Sequence, residues 1–238
     1  KVEVSMVLDV TGSMTEKVGG STKIAELKIA AKSAVKAFLE NGSSNTRVAI
    51  TPYAYGVNVG GGLLKSAVVG TNGLPAADNC AAERRGPLMF SDASPFADPV
   101  SGKVTRPDTF RYFNVDKKEF YDIGYWNGAQ GWRCPVNTVR PLTQDAAALN
   151  SAIDNLKADG ATAGHIGIQW GWYMLSPNWK SVLPAASEPV SYNTADSEKY
   201  LILMTDGMFN TEASGLSAGA LPVHPGISLA SGRLAMSY

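Results

Sequence analysis

The stretch Val2–Met14 constrains the fold more than any other part of the chain. Val2–Leu8 is a short, nearly continuous apolar run that ends at Asp9, which is typical of a strand buried in a parallel sheet. Thr11 and Ser13 follow on the loop that leaves this strand. Open α/β sheets bind their ligands at the carboxyl ends of such strands. One carboxylate and two hydroxyls can therefore converge there on a hard cation, Mg²⁺, Mn²⁺ or Ca²⁺ rather than zinc.

Length and charge exclude several classes of protein. The chain has 238 residues, with 21 basic and 21 acidic side chains, which suits one α/β domain that carries an insertion. A net charge of zero without any basic run argues against nucleic acid or an anionic membrane as the main partner. No apolar run reaches the roughly 18 residues of a membrane span. Lys1 leads straight into a strand, so we expect any targeting segment to lie in a longer precursor.

A right-handed βαβ unit is predicted at the start of the chain. Residues 24–40 carry apolar side chains at helical spacing, and Asn41-Gly42 ends the helix. Arg47–Tyr53 alternates and predicts a second strand, parallel to the first. The indicated fold class is α/β, with a mostly parallel sheet and helices on both faces.

Regular structure is predicted to resume near residue 142. Thr143 or Gln144 is expected to cap a helix that ends before Gly160, and residues 163–175 predict another helix. Lys199–Thr205 is interpreted as a third buried strand, and Asp206 follows it.

The segment from residue 56 to residue 140 departs from this pattern. It is rich in Gly, Pro, Asn, Asp and aromatic residues, and structureless loops of this length are rare inside compact domains. We predict an inserted, loop-rich subdomain that divides the α/β domain into residues 1–55 and 141–238. Cys80 and Cys134 both lie in loop-like sequence, so we expect a disulfide worth about 4 kcal/mol in the chain-entropy model. A disulfide is typical of an extracytoplasmic location.

The run Asp9-x-Thr11-x-Ser13 resembles the metal-ion-dependent adhesion site of von Willebrand factor A domains. The resemblance implies two further ligands, a Thr after a glycine-bearing loop and an Asp that closes a later strand. Thr162 in DGATAG and Asp206 in YLILMTDG are the matching positions. The implied site holds a divalent cation, Mg²⁺ first and Mn²⁺ or Ca²⁺ as alternatives. In this family the cation joins the domain to an acidic residue of a partner protein.

Local roles compete with ligation at single positions. Thr162 could cap the helix that follows it, and Asp206 could be a turn residue. Such roles explain one residue each and not the combined spacing. His165 and His224 are left out of the predicted site, because a solitary histidine is more often a bystander than a ligand.

Four segments together resemble the TadG-like proteins of bacterial tight-adherence (Tad/Flp) pilus systems: LDVTGSM, the Cys-bearing insertion, GHIGIQWGWYMLSPNW and LMTDG. These proteins carry a von Willebrand A domain outside the cytoplasm, behind an N-terminal hydrophobic anchor that this chain does not include. The resemblance implies a non-enzymatic adhesion or pilus-assembly domain, with a pilus component or a host surface as partner. It also implies two strands after the Asp-Gly turn. Beyond Met208 we expect these strands to be missing, and only a short helical pattern near Leu229–Met236.

Two other functions compete with adhesion. DVTGS and LILMTDG also resemble motifs of haloacid-dehalogenase-type phosphotransferases, in which Asp9 would be the nucleophile and Asp206 a Mg²⁺ ligand. Against this, position 11 is Thr rather than an acidic group, and Ser13 and Thr162 have no role in that scheme. A cytoplasmic von Willebrand A partner of an AAA+ ATPase is the third candidate, and proteins of that class lack a disulfide-stapled insertion.

Overall fold

The computed structural model describes most of the α/β part of the chain. The described residues are 1–40, 45–54, 56–68, 79–81, 91–96, 111–114, 119–122, 135–160, 162–207, 209, 227–230 and 233–236. For Cys80 and for residues 111–114, 119–122, 227–230 and 233–236, the description covers the backbone alone. Cys134 lies outside the described residues, so the Cys80–Cys134 disulfide stays a prediction.

The described ranges contain α-helices, short 3-10 helices and strands. The helices are α1 (Lys23–Glu40), α2 (Ala146–Asp154) and α3 (Gly164–Tyr173). None of these described helices has both the length and the hydropathy needed to cross a bilayer. The strands are β1 (Val2–Asp9), β2 (Lys17–Val18), β3 (Ser21–Thr22), β4 (Thr46–Tyr53), β5 (Val57–Asn58), β6 (Cys80–Ala81), β7 (Arg111–Asn114), β8 (Glu119–Asp122), β9 (Arg140–Thr143), β10 (Glu198–Met204), β11 (Ile227–Ala230) and β12 (Arg233–Met236).

The main sheet is organised around β1. This strand pairs in parallel with β4 on one side, from Val2 beside Thr46 to Asp9 beside Tyr53, and in parallel with β10 on the other. The shorter strands β5, β6 and β9 add antiparallel pairings beyond β1, on the β4 side. The predicted parallel βαβ unit is confirmed, and the carboxyl ends of β1, β4 and β10 meet at one edge of the sheet.

Helices cover both faces of the sheet, as predicted. On one face α1 and α2 bury Leu27, Val35 and Leu149 against Met6 and Leu8 of β1. α3 packs on the opposite face, where β1 contributes Val7 to the core. Because successive strand residues point to opposite faces, the continuous apolar run of β1 serves both cores.

α3 lies very close to the sheet because two of its glycines face the strands. Trp170 of α3 shares a core with Val7 and Tyr53. A Cβ atom at Gly167 would lie 2.5 Å from Cγ of Tyr53, and one at Gly171 would lie 2.3 Å from Cγ2 of Val7. Both distances are shorter than real Cβ contacts allow. The glycines therefore set the spacing between α3 and the sheet.

The cap of α2 is Asp145 and not the predicted Thr143 or Gln144. The Asp145 carboxylate accepts a hydrogen bond from the Ala148 N–H at 2.9 Å. Thr143 Oγ1 instead accepts the N–H of Asp145 at 3.1 Å. β9 continues to Thr143, which excludes that residue as the cap, and α2 begins only at Ala146, so Asp145 rather than Gln144 directly precedes the helix.

The C-terminal part differs from prediction in two respects. β10 is the edge strand of the main sheet among the described strands, and Tyr200 is 48% and Leu201 37% exposed, so it is not a buried strand. Residues 227–230 and 233–236 form the two-stranded antiparallel sheet β11–β12 instead of the predicted helical pattern. Ile227 and Leu229 alternate with polar or small residues, as Leu234 and Met236 do, and this alternation is a strand signal.

The described ends of the segment 56–140 pair with the main sheet. β5 pairs with β4, and β6 pairs with β5. Val57, Leu64 and Ala81 are buried in the same core as α3. β7 and β8 form a separate two-stranded sheet. The limits of the inserted subdomain remain a prediction, because most of its residues lie outside the described ranges.

Candidate metal centre

Backbone hydrogen bonds hold the loop of Thr162 against the loop that follows β1. The Gly12 N–H donates to the Gly160 carbonyl oxygen at 2.7 Å, and the Asp159 N–H donates to the Val10 carbonyl oxygen at 2.8 Å. Thr162 is buried on this loop, 3% exposed. The structure therefore brings its loop to the carboxyl end of β1, whereas ligation by its hydroxyl stays a prediction.

Three of the predicted site residues form one hydrogen-bonded chain. Thr11 Oγ1 and Ser13 Oγ lie 3.0 Å apart. Ser13 Oγ donates to Asp206 Oδ1 at 3.1 Å, although the two residues are far apart in sequence. They meet because β1 and β10 are adjacent parallel strands that end side by side.

Asp9 is fully buried and accepts hydrogen bonds from uncharged donors. Its Oδ1 accepts the N–H of Thr11 at 2.9 Å. Its Oδ2 accepts the hydroxyls of Tyr53 at 3.1 Å and Thr205 at 2.8 Å. No cationic side chain in the described ranges makes a hydrogen bond or ion pair with Asp9. Burial of a carboxylate without a counter-charge is costly, so this position favours a bound cation.

Asp206, in contrast, already contacts a cation of the protein. Lys23 Nζ donates to Asp206 Oδ2 at 2.7 Å and to Glu16 Oε2 at 2.7 Å. These two carboxylates raise the pKa of Lys23 above its ordinary value, and the hydrogen bond to Asp206 is the largest cause. Lys23 is therefore charged at neutral pH and sits at the rim of the predicted site.

Tyr53 remains a neutral donor to Asp9. Burial is the main reason that the pKa of Tyr53 lies far above its ordinary value, and the negative charge of Asp9 adds to it. The hydrogen bond from Tyr53 to Asp9 therefore persists over the physiological pH range. Tyr53 helps to hold the carboxylate in place without neutralising its charge.

Sequence reasoning missed four residues of this centre, namely Tyr53, Thr205, Lys23 and Glu16. Tyr53 could have been found, because it ends the second predicted strand and parallel pairing places it beside Asp9. Thr205 directly precedes Asp206 in the sequence. Lys23 and Glu16 gave no such signal, because the two strands of the β2–β3 hairpin that brings them together have two residues each and are too short to show a periodic pattern.

The donor set fits a hard divalent cation. It consists of two carboxylates and three hydroxyls, all oxygen donors of the kind that Mg²⁺ and Ca²⁺ prefer. Neighbouring ligands of an octahedral Mg²⁺ lie about 3 Å apart, since each bond is about 2.1 Å long. The separations of Ser13 Oγ from Thr11 Oγ1 and from Asp206 Oδ1 match that spacing. In the described part of the chain, no three His, Cys, Asp or Glu side chains cluster as a metal site, so hydroxyls would have to complete the ligand set.

Comparison with known proteins gives only distant structural similarity. No protein-family model and no curated protein matches the chain. The chain is similar to the von Willebrand factor domain of the type V pili tip protein Mfa5 from Porphyromonas gingivalis, with 13% identity, a TM-score of 0.43, and coverage of 91% of this chain and 42% of that one. It is also similar to the D319A mutant of the PilB minor pilin from Streptococcus sanguinis, with 16% identity, a TM-score of 0.41, and coverage of 92% and 33%.

A third solved structure is the adhesive tip pilin GBS104 from Group B Streptococcus agalactiae, with 14% identity, a TM-score of 0.39, and coverage of 87% of this chain and 46% of that one. The chain thus spans less than half the length of each of these three proteins. TM-scores below 0.5 do not establish a shared fold, so these similarities carry no weight for function.

Proposed function

We propose that this chain is a non-enzymatic, extracytoplasmic protein-binding domain of the von Willebrand factor A type. In this proposal a divalent cation, Mg²⁺ first and Mn²⁺ or Ca²⁺ as alternatives, binds at the carboxyl edge of the main sheet. An acidic side chain of a partner protein completes its coordination. The proposed ligands are Asp9, Thr11, Ser13, Thr162 and Asp206.

The observation that carries the proposal is the combination at β1 of a buried charge and converging hydroxyls. Asp9 is fully buried, and its hydrogen-bond donors in the described part of the chain are neutral. Thr11 and Ser13 lie on the loop that follows it; their hydroxyls are within hydrogen-bond distance of each other, and that of Ser13 also donates to Asp206. A cation at this place would compensate the charge of Asp9, and the oxygen atoms of the loop would coordinate it.

The charges of the proposed site favour a carboxylate as the group that the partner protein contributes. The proposed ligand set holds two carboxylates, so a divalent cation would make the set formally neutral. Mg²⁺ prefers octahedral coordination and keeps open positions or waters when the protein does not fill them. An acidic side chain from outside can replace such a water. The bond is then strong because both groups are charged.

The partner class and the location rest on the sequence resemblance to TadG-like pilus proteins. We propose a pilus component or a host surface as the source of the acidic residue. The alternative, a cytoplasmic partner of an AAA+ ATPase, predicts two free thiols. Titration of thiols in the unfolded, unreduced protein separates the two classes, since a Cys80–Cys134 disulfide leaves no free thiol.

The phosphotransferase alternative gives no role to Ser13 and Thr162. The hydroxyl of Ser13 nevertheless donates a hydrogen bond to Asp206, which the metal-site proposal uses. Turnover of acetyl phosphate or p-nitrophenyl phosphate with Mg²⁺ tests this alternative. A rate that Asp9→Asn removes would establish the enzyme and overturn the binding domain.

Titration with MgCl₂, MnCl₂ and CaCl₂ at constant ionic strength, followed by thermal unfolding, tests the metal site. We expect saturable stabilisation of the wild type, which is about 2.7 kcal/mol when the cation is at a hundredfold excess over its Kd. Ser13→Ala should weaken the affinity at least tenfold, as losing a site group typically does.

Ser33→Ala is the matched control, because it removes a hydroxyl that is exposed and bonded only locally, to Ile29 on α1. We expect its cation titration to match that of the wild type. If no cation stabilises the wild type, or if both serine variants respond equally, the proposed site is wrong.

A further inference from the structure

The position of Lys23 at the start of α1 needs an explanation outside the helix. A positive charge in the first turn opposes the helix dipole. Lys23 is nevertheless held in place, since its N–H donates to the Glu16 carbonyl oxygen at 2.9 Å and its ammonium group contacts the Glu16 and Asp206 carboxylates. The charge of Lys23 is therefore directed toward the metal centre and away from any role in stabilising α1.

The two carboxylates that Lys23 contacts differ in burial. The side chain of Asp206 is 12% exposed and that of Glu16 is 64% exposed. Solvent screens the pair with Glu16, so the contact with Asp206 is the stronger one. Asp206 Oδ1 meanwhile accepts the hydroxyl of Ser13. One carboxylate thus joins the proposed ligand loop through one oxygen and Lys23 through the other.

We propose that Lys23 is an internal competitor of the divalent cation and that it sets the affinity of the metal centre. In this inference, which rests on the proposed function, the ammonium group neutralises Asp206 when no cation is bound. A divalent cation must share Asp206 with Lys23 or displace it. Glu16 already contacts the same ammonium group, so Lys23 keeps a partner when it leaves Asp206.

This competition makes binding of the cation and of an acidic partner mutually dependent. Lys23 weakens cation binding by repulsion and by occupying a ligand. A partner carboxylate adds a negative charge next to the cation and thereby offsets the repulsion between the cation and Lys23. The centre is therefore tuned to bind its cation tightly only together with the acidic group, which is reciprocal coupling between two ligands.

The direct test is the affinity of Lys23→Met for Mg²⁺ and Mn²⁺, measured by calorimetry at constant ionic strength. Methionine keeps an unbranched side chain of similar length and removes the charge. One unit charge about 6 Å from a divalent ion opposes binding by about tenfold when solvent screens the interaction as bulk water does. We therefore expect Lys23→Met to lower the Kd about tenfold relative to the wild type.

Lys32→Met is the matched control. Lys32 also lies on α1 and also pairs with an aspartate, Asp154, at 2.6 Å, but neither residue belongs to the metal centre. It removes the same charge from the same helix, so we expect its Kd to stay within about twofold of the wild type. A second variant, Glu16→Gln, removes the alternative partner of Lys23 and should raise the Kd.

The opposite results distinguish the inference from the proposed function. If Lys23 merely positions Asp206 as a ligand, Lys23→Met raises the Kd or leaves it unchanged, and the inference is overturned while the metal site stands. If Lys23→Met binds Mg²⁺ or Mn²⁺ about tenfold more tightly than the wild type and Lys32→Met does not, the inference is supported. If neither Lys23→Met nor the wild type binds any cation, the proposed function and this inference both fail. Circular dichroism of each variant verifies that it is folded.

Discussion

Glu3 and Asp9 lie near opposite ends of β1, and both are fully buried carboxylates. Glu3 has two cationic partners, Arg47 on β4 and Lys199 on β10, each directly beside it in the sheet. Asp9 has hydroxyl and N–H donors and no cationic partner among the described residues. The protein neutralises the first charge itself, whereas the proposed function assigns the second to a cation from solution. The amino end of the strand thus serves stability, and in the proposal the carboxyl end serves binding.

The partners of Glu3 also fasten a distant segment. Glu3 Oε1 accepts the N–H of Val190 at 3.0 Å. Arg47 donates to the carbonyl oxygens of Ala186 at 2.9 Å and Glu188 at 2.7 Å. The long connection before β10 is therefore fixed to the amino end of the sheet. At the other end of the strand, loop-to-loop backbone bonds hold the proposed site.

The largest effect is expected for Glu3→Gln. Removal of one partner from a buried ionic network leaves the other charges uncompensated and costs about 3 kcal/mol or more. We expect that loss in the free energy of unfolding, measured by urea denaturation with or without Mg²⁺. Glu198→Gln, at an exposed position at the start of β10, is the control and should change the stability by less than about 0.5 kcal/mol. Equal effects of the two variants would contradict the assignment of Glu3.

Asp9→Asn is expected to behave in the opposite way. In EDTA its stability should stay within about 1 kcal/mol of the wild type, because the amide keeps the shape and removes an uncompensated buried charge. In saturating Mg²⁺ it should lack the gain of about 2.7 kcal/mol expected at a hundredfold excess over Kd. Urea denaturation in EDTA and in Mg²⁺ measures both quantities. A variant that gains as much as the wild type from Mg²⁺ would remove Asp9 from the site.

Gly167→Ala tests whether Tyr53 transmits the packing of α3 to the site. The new Cβ would overlap Tyr53, which donates to Asp9. We expect a destabilisation of about 2 kcal/mol from overpacking together with a weaker response to Mg²⁺. Gly171→Ala overpacks α3 against Val7 instead, so it should lower the stability by a similar amount and leave the response to Mg²⁺ unchanged. Thermal unfolding with and without Mg²⁺ separates the two variants.

The smallest effect is expected at Tyr192, near the amino end of β1. Its ring faces Lys199 Nζ at 5.7 Å. Burial, and then the hydrogen bond to Asp92, raise the pKa of Tyr192 above its ordinary value. The contribution of Tyr192 to the free energy of unfolding is therefore fully present below pH 10. It is lost as the pH rises above 10, because the unfolded tyrosine releases its proton first.

Tyr192→Phe should remove the contribution of Tyr192 to the loss of unfolding free energy above pH 10. This contribution is less than about 1 kcal/mol, because solvent screens the half-exposed ring. Urea denaturation of the wild type and of Tyr192→Phe between pH 8 and pH 11 measures the difference. Parallel curves for the two proteins would contradict this role of Tyr192.

The two ends of β1 also differ in how much the sequence revealed. Asp9, Thr11, Ser13 and Asp206 could be predicted to converge, because each follows an apolar run and parallel strands end at one edge. Nothing in the sequence marked Glu3, because its two partners come from separate strands and meet it only through the register. Residues close together in the sequence can be recognised as one loop site. A network between strands depends on strand pairing, which cannot be read from the sequence alone.

The errors in the fold have a similar origin. Lys199–Thr205 was predicted as buried because apolar runs usually have neighbours on both sides, but β10 has a partner on one side only among the described strands. Residues 229–236 fit two periodicities, and the strand pattern prevailed. The parallel core was predictable because the periodic spacing of apolar residues in its helix and strands continues over many residues.

The backbone bonds from Gly12 to Gly160 and from Asp159 to Val10 have a practical consequence. Main-chain bonds are indifferent to the identity of neighbouring side chains. They form a frame in which donor atoms can be exchanged while the loops keep their places. Replacing a hydroxyl of Thr11 or Ser13 by a carboxylate would make the frame more negative. If the proposed site binds a cation, this change should shift its preference among metal ions, so this edge of the sheet would serve as a scaffold for engineering selectivity.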